Sequence, residues 1–541
     1  MPTAARLRRH PPLLWVVTTA AVLVACTDTE EVPREPFNPP PDSASGFLGY
    51  FTASDKLTSC GNCHAEKQGD WAGTKHAQAW ADLVASGHQS PDCNSCHSVS
   101  ERGNQATAPA GYSKVADTAY QDVQCESCHG PGFTHASSPT IENRPLATVN
   151  VPTDPAQWLD SPTCGSCHEG DFSPFVEQWS ASAHARTVTE VIEDIVEDPN
   201  TSCSACHEGR HVLEAWGVNT NYVEKDDAVT LENAMPTTCA ICHDPHAKDH
   251  EGQLRWAIDD PNPDNNLCMK CHNRRTEPQV SSSRGPHAPQ GGVLLGTAGY
   301  WPAGFDTTAV VATHGNVAVN TRLCAGCHVA PFSVTDASGN VTFQSTGHLF
   351  RPNPCLDATG KPTADTTCAR PADPGYVSGT RKWNGCAQSG CHSSEPAAEN
   401  AFEANRNVVR LLADAIWVDA NGNQTLYTTD PVTGQPNGFD PGDTGLLTQV
   451  PISEFNSTDN KITDAEGAFF NVRMIGENRY ANGDRSFGAH NPFLSQSLLT
   501  ASIDALKATY GLAISTQLQA ILDRVKAQNP RARSLLSVSG R

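Results

Sequence analysis

The stretch 60-CGNCHAEKQGDWAGTKHA-77 joins a Cys-x-x-Cys-His motif to a Trp-x4-His-Ala segment. The Cys-x-x-Cys-His motif occurs eight times among the 541 residues, starting at positions 60, 93, 125, 164, 203, 239, 268 and 324. Cysteines three residues apart lie about one helical turn apart, so both thiols can reach the same edge of a flat ligand. The histidine that follows can bind an iron at the centre of that ligand. Eight copies therefore predict eight covalently attached haem c groups.

A ninth copy of the motif is interrupted. The stretch 386-CAQSGCH-392 has two more residues between its cysteines than the other motifs. Apart from the regular motifs and Cys26 near the N-terminus, only Cys355, Cys368 and the two cysteines of this stretch remain. Because idle thiols pair in an oxidising compartment, these four form either two disulfides or one disulfide and one haem. We favour a ninth haem and a Cys355–Cys368 disulfide, since the extra residues include small ones that can bulge outward.

The motifs define the haem-attachment cysteines and the proximal iron ligands. The predicted thioether cysteines are Cys60, Cys63, Cys93, Cys96, Cys125, Cys128, Cys164, Cys167, Cys203, Cys206, Cys239, Cys242, Cys268, Cys271, Cys324, Cys327, Cys386 and Cys391. The predicted proximal ligands are His64, His97, His129, His168, His207, His243, His272, His328 and His392.

The histidine count predicts the ligand on the other face of each iron. Of the 21 histidines, nine follow a cysteine pair and His10 lies near the N-terminus, which leaves eleven for nine distal positions. Methionine is the alternative ligand, but only Met235 and Met474 lie outside the motifs and the initiator position. We therefore expect nine irons with a histidine on each face, which are usually of lower potential than His/Met irons.

A sequence repeat indicates which histidines are the best candidates for distal ligands and where the chain divides into modules. Residues 60–77 match residues 164–185, so that Trp71 with His76 corresponds to Trp179 with His184. Two further motifs follow each copy, which predicts a duplicated three-haem module. The predicted organisation is a signal peptide at 1–25, a lipid-anchored tether at 26–56, three-haem modules at 57–150 and 151–260, three further haems with a disulfide loop at 261–396, and a haem-free helical cap supplying a distal histidine at 397–541.

Several segments resemble a known lineage of multihaem cytochromes. The sequences CESCHGPGFTHA, CAICHDPH and FGAHNPFLSQSLL and the Trp-x4-His-Ala segments are similar to hydroxylamine oxidoreductase, pentahaem nitrite reductase and the tetrahaem cytochrome of ammonia oxidisers. The resemblance implies that five histidines of these segments are distal ligands, and three more look similar to distal positions of the lineage. The ninth choice is His211, preferred narrowly over His88 and His250. The predicted distal set is His76, His135, His184, His211, His246, His287, His314, His348 and His490.

The N-terminus indicates export. A basic start and the apolar stretch 11–25 are typical of a secretory signal peptide. The sequence LVAC at 23–26 resembles a bacterial lipobox, which implies cleavage before Cys26 and lipid attachment to its sulfur; ordinary cleavage is the alternative. The following Pro-rich polar residues suit a tether. Thr27 mildly favours the outer membrane by the usual sorting rule for lipoproteins.

Composition predicts a fold class. The hydrophobic share of 38% and aromatic share of 7% are too low for a large side-chain core, so haem must supply apolar surface. We expect a mainly α fold with extensive loops, built around a haem chain, with two small β-hairpins and a C-terminal helical cap. Helices are predicted at 66–83 and 178–190 and twice within 493–528. Hairpins are predicted at 332–343 and 416–428, the second turning at 419-DANGN-423.

The same observations limit the function. A net charge of −22 argues against binding of nucleic acid. The resembling nitrite reductases use a Cys-x-x-Cys-Lys motif at the active haem, and this sequence has none. Because histidines outnumber the iron faces, we favour an electron carrier over a reductase of nitrogen or sulfur compounds with one open haem. The expected partners are redox proteins, a membrane through the lipid anchor, and a porin or further copies.

Overall fold

The computed structural model describes most of the chain from residue 37 onward. This includes the later part of the predicted tether, where Phe47 is buried with Val99 and Tyr120, so the folded body begins before residue 57. The described residues are 37–147, 164–170, 173–189, 191–197, 203–218, 230, 234–280, 284–305, 313–357, 359–363, 381–388, 390–456, 458–476 and 482–528. The predicted signal peptide, Cys26 and Cys368 lie outside them. Within these ranges, no helix combines the length and the apolar character needed to cross a membrane.

The described ranges are mainly helical with long irregular connections, which confirms the predicted fold class. The helices are α1 (Ala65–Trp71), α2 (Ala79–Ser86), α3 (Pro91–Asn94), α4 (Cys125–His129), α5 (Phe133–Ser137), α6 (Phe175–Ser180), α7 (Ile192–Glu197), α8 (Ser204–His207), α9 (Gly209–Ala215), α10 (Cys239–Cys242), α11 (Met269–His272), α12 (Gln290–Leu295), α13 (Leu323–His328), α14 (Glu395–Ile416), α15 (Asp464–Ile475), α16 (Pro492–Tyr510) and α17 (Thr516–Gln528). Three antiparallel pairs of strands join β1 (Tyr50–Thr52) to β2 (Leu57–Thr58), β3 (Phe332–Thr335) to β4 (Val341–Ser345), and β5 (Tyr427–Thr429) to β6 (Pro436–Phe439).

The two helices expected to carry His76 and His184 are shorter than predicted. Helix α1 ends at Trp71, and His76 begins a 3-10 turn that leads into α2. Helix α6 ends at Ser180, and His184 likewise begins a 3-10 turn. The Thr74 hydroxyl donates to the Trp71 carbonyl at 2.7 Å, which terminates the helix by a local side-chain bond. The prediction of continuous helices was therefore wrong at these points.

One predicted hairpin is confirmed and the other is displaced. Strands β3 and β4 pair as expected from 332–343. The segment 419-DANGN-423 forms a loop instead of a hairpin turn, because the Asp440 carboxylate accepts the side-chain amides of Asn421 and Asn423. The strands that do pair there are β5 and β6, which meet after this loop. Strands β1 and β2 were not predicted.

The C-terminal part holds the largest apolar core of the described residues. Helices α14, α15 and α16 pack together, and their inward side chains include the fully buried Leu412, Val472 and Leu498. Helix α14 starts at a Ser394 cap, and α15 starts at a capping box in which Thr463 and Glu466 bond reciprocally. The two helices predicted within 493–528 are confirmed as α16 and α17. Helices α14 and α15 were not predicted.

Candidate haem sites

Most of the predicted haem motifs share one backbone hydrogen bond. The histidine N–H donates to the carbonyl of the first cysteine, for example from His64 to Cys60 at 2.9 Å and from His168 to Cys164 at 2.8 Å, whereas in the second motif the His97 N–H donates to the Asn94 carbonyl at 3.2 Å. In the interrupted copy, the His392 N–H also donates to the carbonyl of its first cysteine, Cys386, at 3.2 Å. The longer spacing therefore leaves this contact between the ends of the motif in place.

The cysteines of the described residues fall into two groups, one with free thiols and one in a disulfide. Every predicted thioether cysteine, including Cys386 and Cys391, has a free thiol. Cys355 is disulfide-bonded, and its predicted partner Cys368 lies outside the described residues. The thiols of the interrupted motif are thus available to a haem.

Seven proximal histidines stand opposite a second histidine, and we number the haem sites 1 to 9 in motif order. The facing pairs, with the distance between ring centres, are His168–His76 at 6.2 Å for haem 4, His129–His246 at 6.2 Å for haem 3, His272–His184 at 6.1 Å for haem 7, His207–His287 at 6.4 Å for haem 5, His243–His348 at 6.1 Å for haem 6, His392–His314 at 6.3 Å for haem 9 and His328–His490 at 6.0 Å for haem 8.

This separation fits an iron between each pair of rings. Two imidazoles on one metal, with bonds of about 2.0–2.1 Å, have ring centres roughly 6 Å apart. Other contacting rings of the chain span a wider range, from 4.3 Å for His184 and Phe350 to 6.3 Å for Phe455 and Phe469, whereas all seven histidine pairs lie within 6.0–6.4 Å. This uniform gap would accommodate an iron bound by one nitrogen from each ring.

The protonation of these histidines also suits iron ligation. The ring Nδ1 atoms of His97, His129, His207, His243, His314 and His328 lie 2.6–3.0 Å from backbone carbonyl oxygens. A carbonyl only accepts, so each Nδ1 carries the proton and each Nε2 keeps its lone pair for a metal. Burial lowers the pKa of His76, His287, His328 and His348 to about 4, and of His184 to about 3, which favours neutral rings.

His490 is held differently. Its Nδ1 lies 2.6 Å from an oxygen of Asp484, whose side chain is 1% exposed. Burial alone would lower the pKa of His490, but the charge of Asp484 and its hydrogen bond raise it. The residues 484–490 also orient a second ligand, because the His314 Nδ1–H donates to the Ala489 carbonyl at 2.7 Å. No sequence pattern signalled Asp484.

Each Trp-x4-His segment places its histidine opposite a proximal histidine of the next group of motifs. His76 faces the histidine of the fourth motif, and His184 faces that of the seventh, so each segment serves the first haem of the following group. The Trp71 indole N–H donates to the Val123 carbonyl at 2.9 Å, two residues before the third motif. The matching Trp179 donates to the Thr237 carbonyl at 2.8 Å, two residues before the sixth. The tryptophans thus tie each distal segment to the neighbouring haem motif.

Two proximal histidines lack such a partner. Among the described residues, no imidazole stands opposite His64 or His97 at the 6.0–6.4 Å of the other pairs. The predicted ligand His135 bonds through Nδ1 to Asn143 at 3.0 Å, which leaves its Nε2 available. The predicted ligand His211 lies 3.1 Å from Glu208 without hydrogen-bond geometry and faces no proximal histidine. Both assignments stay predictions.

The pKa shifts of the motif thiols indicate which haem sites are neighbours. A thiol of one motif shifts the pKa of a thiol of another motif in the pairs Cys60–Cys125, Cys96–Cys167, Cys164–Cys239, Cys206–Cys271 and Cys268–Cys324. Charge effects on the thiol pKa link Cys128 with Cys164, Cys242 with Cys271 and Cys327 with Cys391. Because each thiol would attach one porphyrin edge, this proximity gives the series 1–3–4–6–7–8–9, with site 2 beside site 4 and site 5 beside site 7.

Family models match two stretches of the chain. Residues 59–130 match the family described as cytochrome c554 and c-prime. Residues 233–277 match the doubled CXXCH motif. These stretches contain motifs 1 to 3 and motifs 6 and 7 respectively.

Whole-protein comparisons find more distant similarity. The chain is 24% identical over 392 residues to the C-type polyheme cytochrome OmcB of Geobacter sulfurreducens, covering 65% of this chain and 48% of that protein. It is 24% identical over 229 residues to the multiheme cytochrome MtrA of Shewanella baltica, covering 38% of this chain and 59% of MtrA. The chain thus spans about half the length of OmcB. The crystal structure of the outer cell wall cytochrome OcwA is similar with a TM-score of 0.43 and 16% identity, over 76% of this chain and 75% of OcwA.

The narrower resemblance to the hydroxylamine oxidoreductase and nitrite reductase lineage is not decided by these matches. The matched families and relatives attach several haems to one polypeptide. The repeated motif and the facing histidines of this chain point to the same arrangement. On that common ground, the chain is similar to the multihaem c-type cytochromes.

Proposed function

We propose that the chain carries electrons through nine c-type haems on the bacterial cell envelope, toward an outer-membrane or extracellular acceptor. The observation that carries this proposal is the series of sites 1–3–4–6–7–8–9, in which thiols of successive sites lie near enough to shift each other's pKa. Close porphyrin edges favour electron exchange between neighbours. An iron with a histidine on each face has no free position for a substrate, so it suits transfer rather than catalysis.

Nine is the proposed number of haems. It is supported by the free thiols of Cys386 and Cys391 and by the facing pair of His392 and His314. Mass and pyridine haemochrome analysis of the purified protein should give nine covalent haems. The Cys386→Ser/Cys391→Ser double variant should contain eight, and the Cys355→Ser variant is the matched control that should keep nine. A wild-type value of eight would contradict the ninth site.

The location rests on the N-terminal sequence. We infer a signal peptide at 1–25, lipid on Cys26 and a tether to residue 56, which would hold the protein on a membrane while the haem groups stay in water. Replacement of Cys26 by Ser should release a fully haem-loaded protein from the membrane fraction. Retention of that variant in the membrane would contradict the lipid anchor. The division into two three-haem modules, three further haems and a cap is likewise part of the proposal, as are redox partner proteins.

A reductase of nitrogen or sulfur compounds is the second candidate. It is favoured by His64 and His97, which have no facing imidazole at the separation of the other pairs in the described residues. His135 and His211 are the proposed ligands that would close these two irons. If they do so, the oxidised protein shows no high-spin EPR signal and the reduced protein binds no carbon monoxide.

The same measurement separates the two functions. A high-spin signal of one or two haems, together with carbon monoxide binding and turnover of nitrite or hydroxylamine, would favour the reductase. The His135→Ala variant should gain a high-spin signal if this residue is a ligand. The matched variant His88→Ala, at an exposed histidine, should leave the spectrum unchanged.

A further inference from the structure

The residues just before α16 provide different hydrogen-bond acceptors for the distal histidines of two neighbouring haem sites. His490 and His314 face the proximal histidines of haems 8 and 9. The His314 ring donates to the neutral carbonyl of Ala489, whereas the His490 ring donates to the carboxylate of Asp484. The acceptors at His97, His129, His207, His243 and His328 are also backbone carbonyls, and the acceptor at His135 is the neutral side-chain amide oxygen of Asn143. A charged acceptor at 2.6 Å therefore distinguishes haem 8.

The surroundings of Asp484 keep its carboxylate buried and fixed beside the His490 ring. Asp484 is 3% exposed, and its other oxygen accepts the hydroxyl of Ser486. The Asp484 N–H donates to the carbonyl of Met474 at 2.9 Å, at the end of the buried helix α15. Because water is kept away from the carboxylate, its charge acts on the ring with little screening. Both partners are held by the C-terminal core.

Asp244 offers a natural comparison. Its oxygen lies 3.5 Å from Nδ1 of His246, which faces the proximal histidine of haem 3. The Asp244 side chain is 28% exposed and pairs with Arg255 at 3.0 Å. A longer contact, solvent and a compensating cation all weaken the effect of this carboxylate on its histidine.

We infer that Asp484 is a positioning residue that lowers the reduction potential of haem 8 below that of its neighbours in the series. A carboxylate acceptor draws the Nδ1 proton away from the His490 ring and makes Nε2 a stronger electron donor. A stronger donor and a nearby buried negative charge stabilise ferric iron over ferrous iron, which is the direction of a lower potential. The inference rests on the proposed pairing of His328 and His490 at haem 8.

The position of haem 8 within the series determines how a lower potential would affect electron transfer. The proximity of motif thiols puts site 8 between sites 7 and 9, because Cys268 raises the pKa of Cys324 and Cys391 raises the pKa of Cys327. In a partly reduced protein, electrons should therefore reside on haems 7 and 9 in preference to haem 8. The C-terminal core, which binds no haem of its own, would thereby control the step to the last haem.

The test uses the haem-loaded full chain and spectroelectrochemical titration. Asp484→Asn keeps an oxygen at the same place but removes the charge. It should shift the reduction equilibrium of one haem at least tenfold toward the reduced form, which is about 59 mV for a one-electron couple. Asp244→Asn, the matched control, should shift its haem less than threefold. Asp484→Glu should restore most of the wild-type titration.

His490→Ala identifies the haem concerned, since the haem that it turns high-spin should be the one shifted in Asp484→Asn. If Asp484→Asn leaves every haem within twofold of the wild type while His490→Ala opens one iron, the tuning is refuted and the ligand assignment stands. If His490→Ala opens no iron, the assignment of haem 8 itself fails. If Asp484→Asn loses the haem or unfolds, the Asp484→Glu titration decides alone: a wild-type potential supports the tuning, and a raised one contradicts it.

Discussion

The haem-binding body (residues 37–363) and the C-terminal cap (residues 395–528) are stabilised in different ways. The body contains small separate clusters of buried side chains, such as Phe47 with Val99 and Tyr120 or Val212 with Ile241. The cap has one continuous core formed mainly by α14, α15 and α16, and Val293 and Ala298 of the body pack into it. A side-chain core stabilises long helices, whereas short helices around separate clusters need another source of buried apolar surface. The difference implies that haem supplies that surface in the body.

The strongest test of this comparison is removal of the haem. If haem attachment is blocked during expression, we expect residues 47–350 to lose hydrogen-exchange protection, because their local clusters bury too little apolar area. Helices α14, α15 and α16 should keep measurable protection. Exchange followed by mass spectrometry on the haem-free chain and the loaded chain checks this. Equal loss of protection in both regions would show that the cap core depends on the haems.

A large-to-small substitution in the cap should have the next largest effect. Leu498 is fully buried between α16 and its neighbours. Leu498→Ala should lower the free energy of unfolding by about 2–5 kcal/mol, because it removes apolar contacts and leaves a cavity. Val432→Ala, at a side chain that is 91% exposed, is the control and should change it by less than about 0.5 kcal/mol. Thermal or denaturant unfolding of the loaded protein measures both values.

A substitution in the body should have a smaller effect on stability and a specific effect on one haem. Trp179→Phe removes the indole N–H that donates to the Thr237 carbonyl but keeps most of the apolar ring. The expected loss is about 1–3 kcal/mol, since the buried carbonyl is left unsatisfied. His184 should become less well placed at haem 7, visible as a broadened low-spin EPR signal. An unchanged spectrum with the expected loss of stability would limit the tryptophan to packing.

Local chemistry made part of the site predictable. A Cys-x-x-Cys-His motif contains its own geometry, because the short turn that aligns the cysteines and the histidine needs no distant residue. The motif turns of the structure agree with this expectation. The interrupted copy at 386–392 keeps the same bond, from the His392 N–H to the Cys386 carbonyl, although its cysteines are two residues farther apart.

The distal partners were not predictable from spacing. The duplicated segment identified His76 and His184 as candidates, but their partners belong to motifs far along the chain, after the next module begins. His246 pairs in the opposite direction along the chain, since it faces His129, which precedes it in the sequence. Such pairings depend on how the groups pack, and the ring-to-ring distances alone assign them.

The sequence by itself determined the cofactor class and predicted the attachment cysteines and the proximal histidines, because each motif is a local unit of a few residues. Only the tertiary structure decided which histidines face each other, which motifs are neighbours and that Asp484 lies against His490. The His490 contact is made within the cap, whereas its partner His328 lies in the body. The physical reason is that iron has two faces: the motif supplies one ligand through the backbone, and the other arrives only when separate parts of the chain pack together.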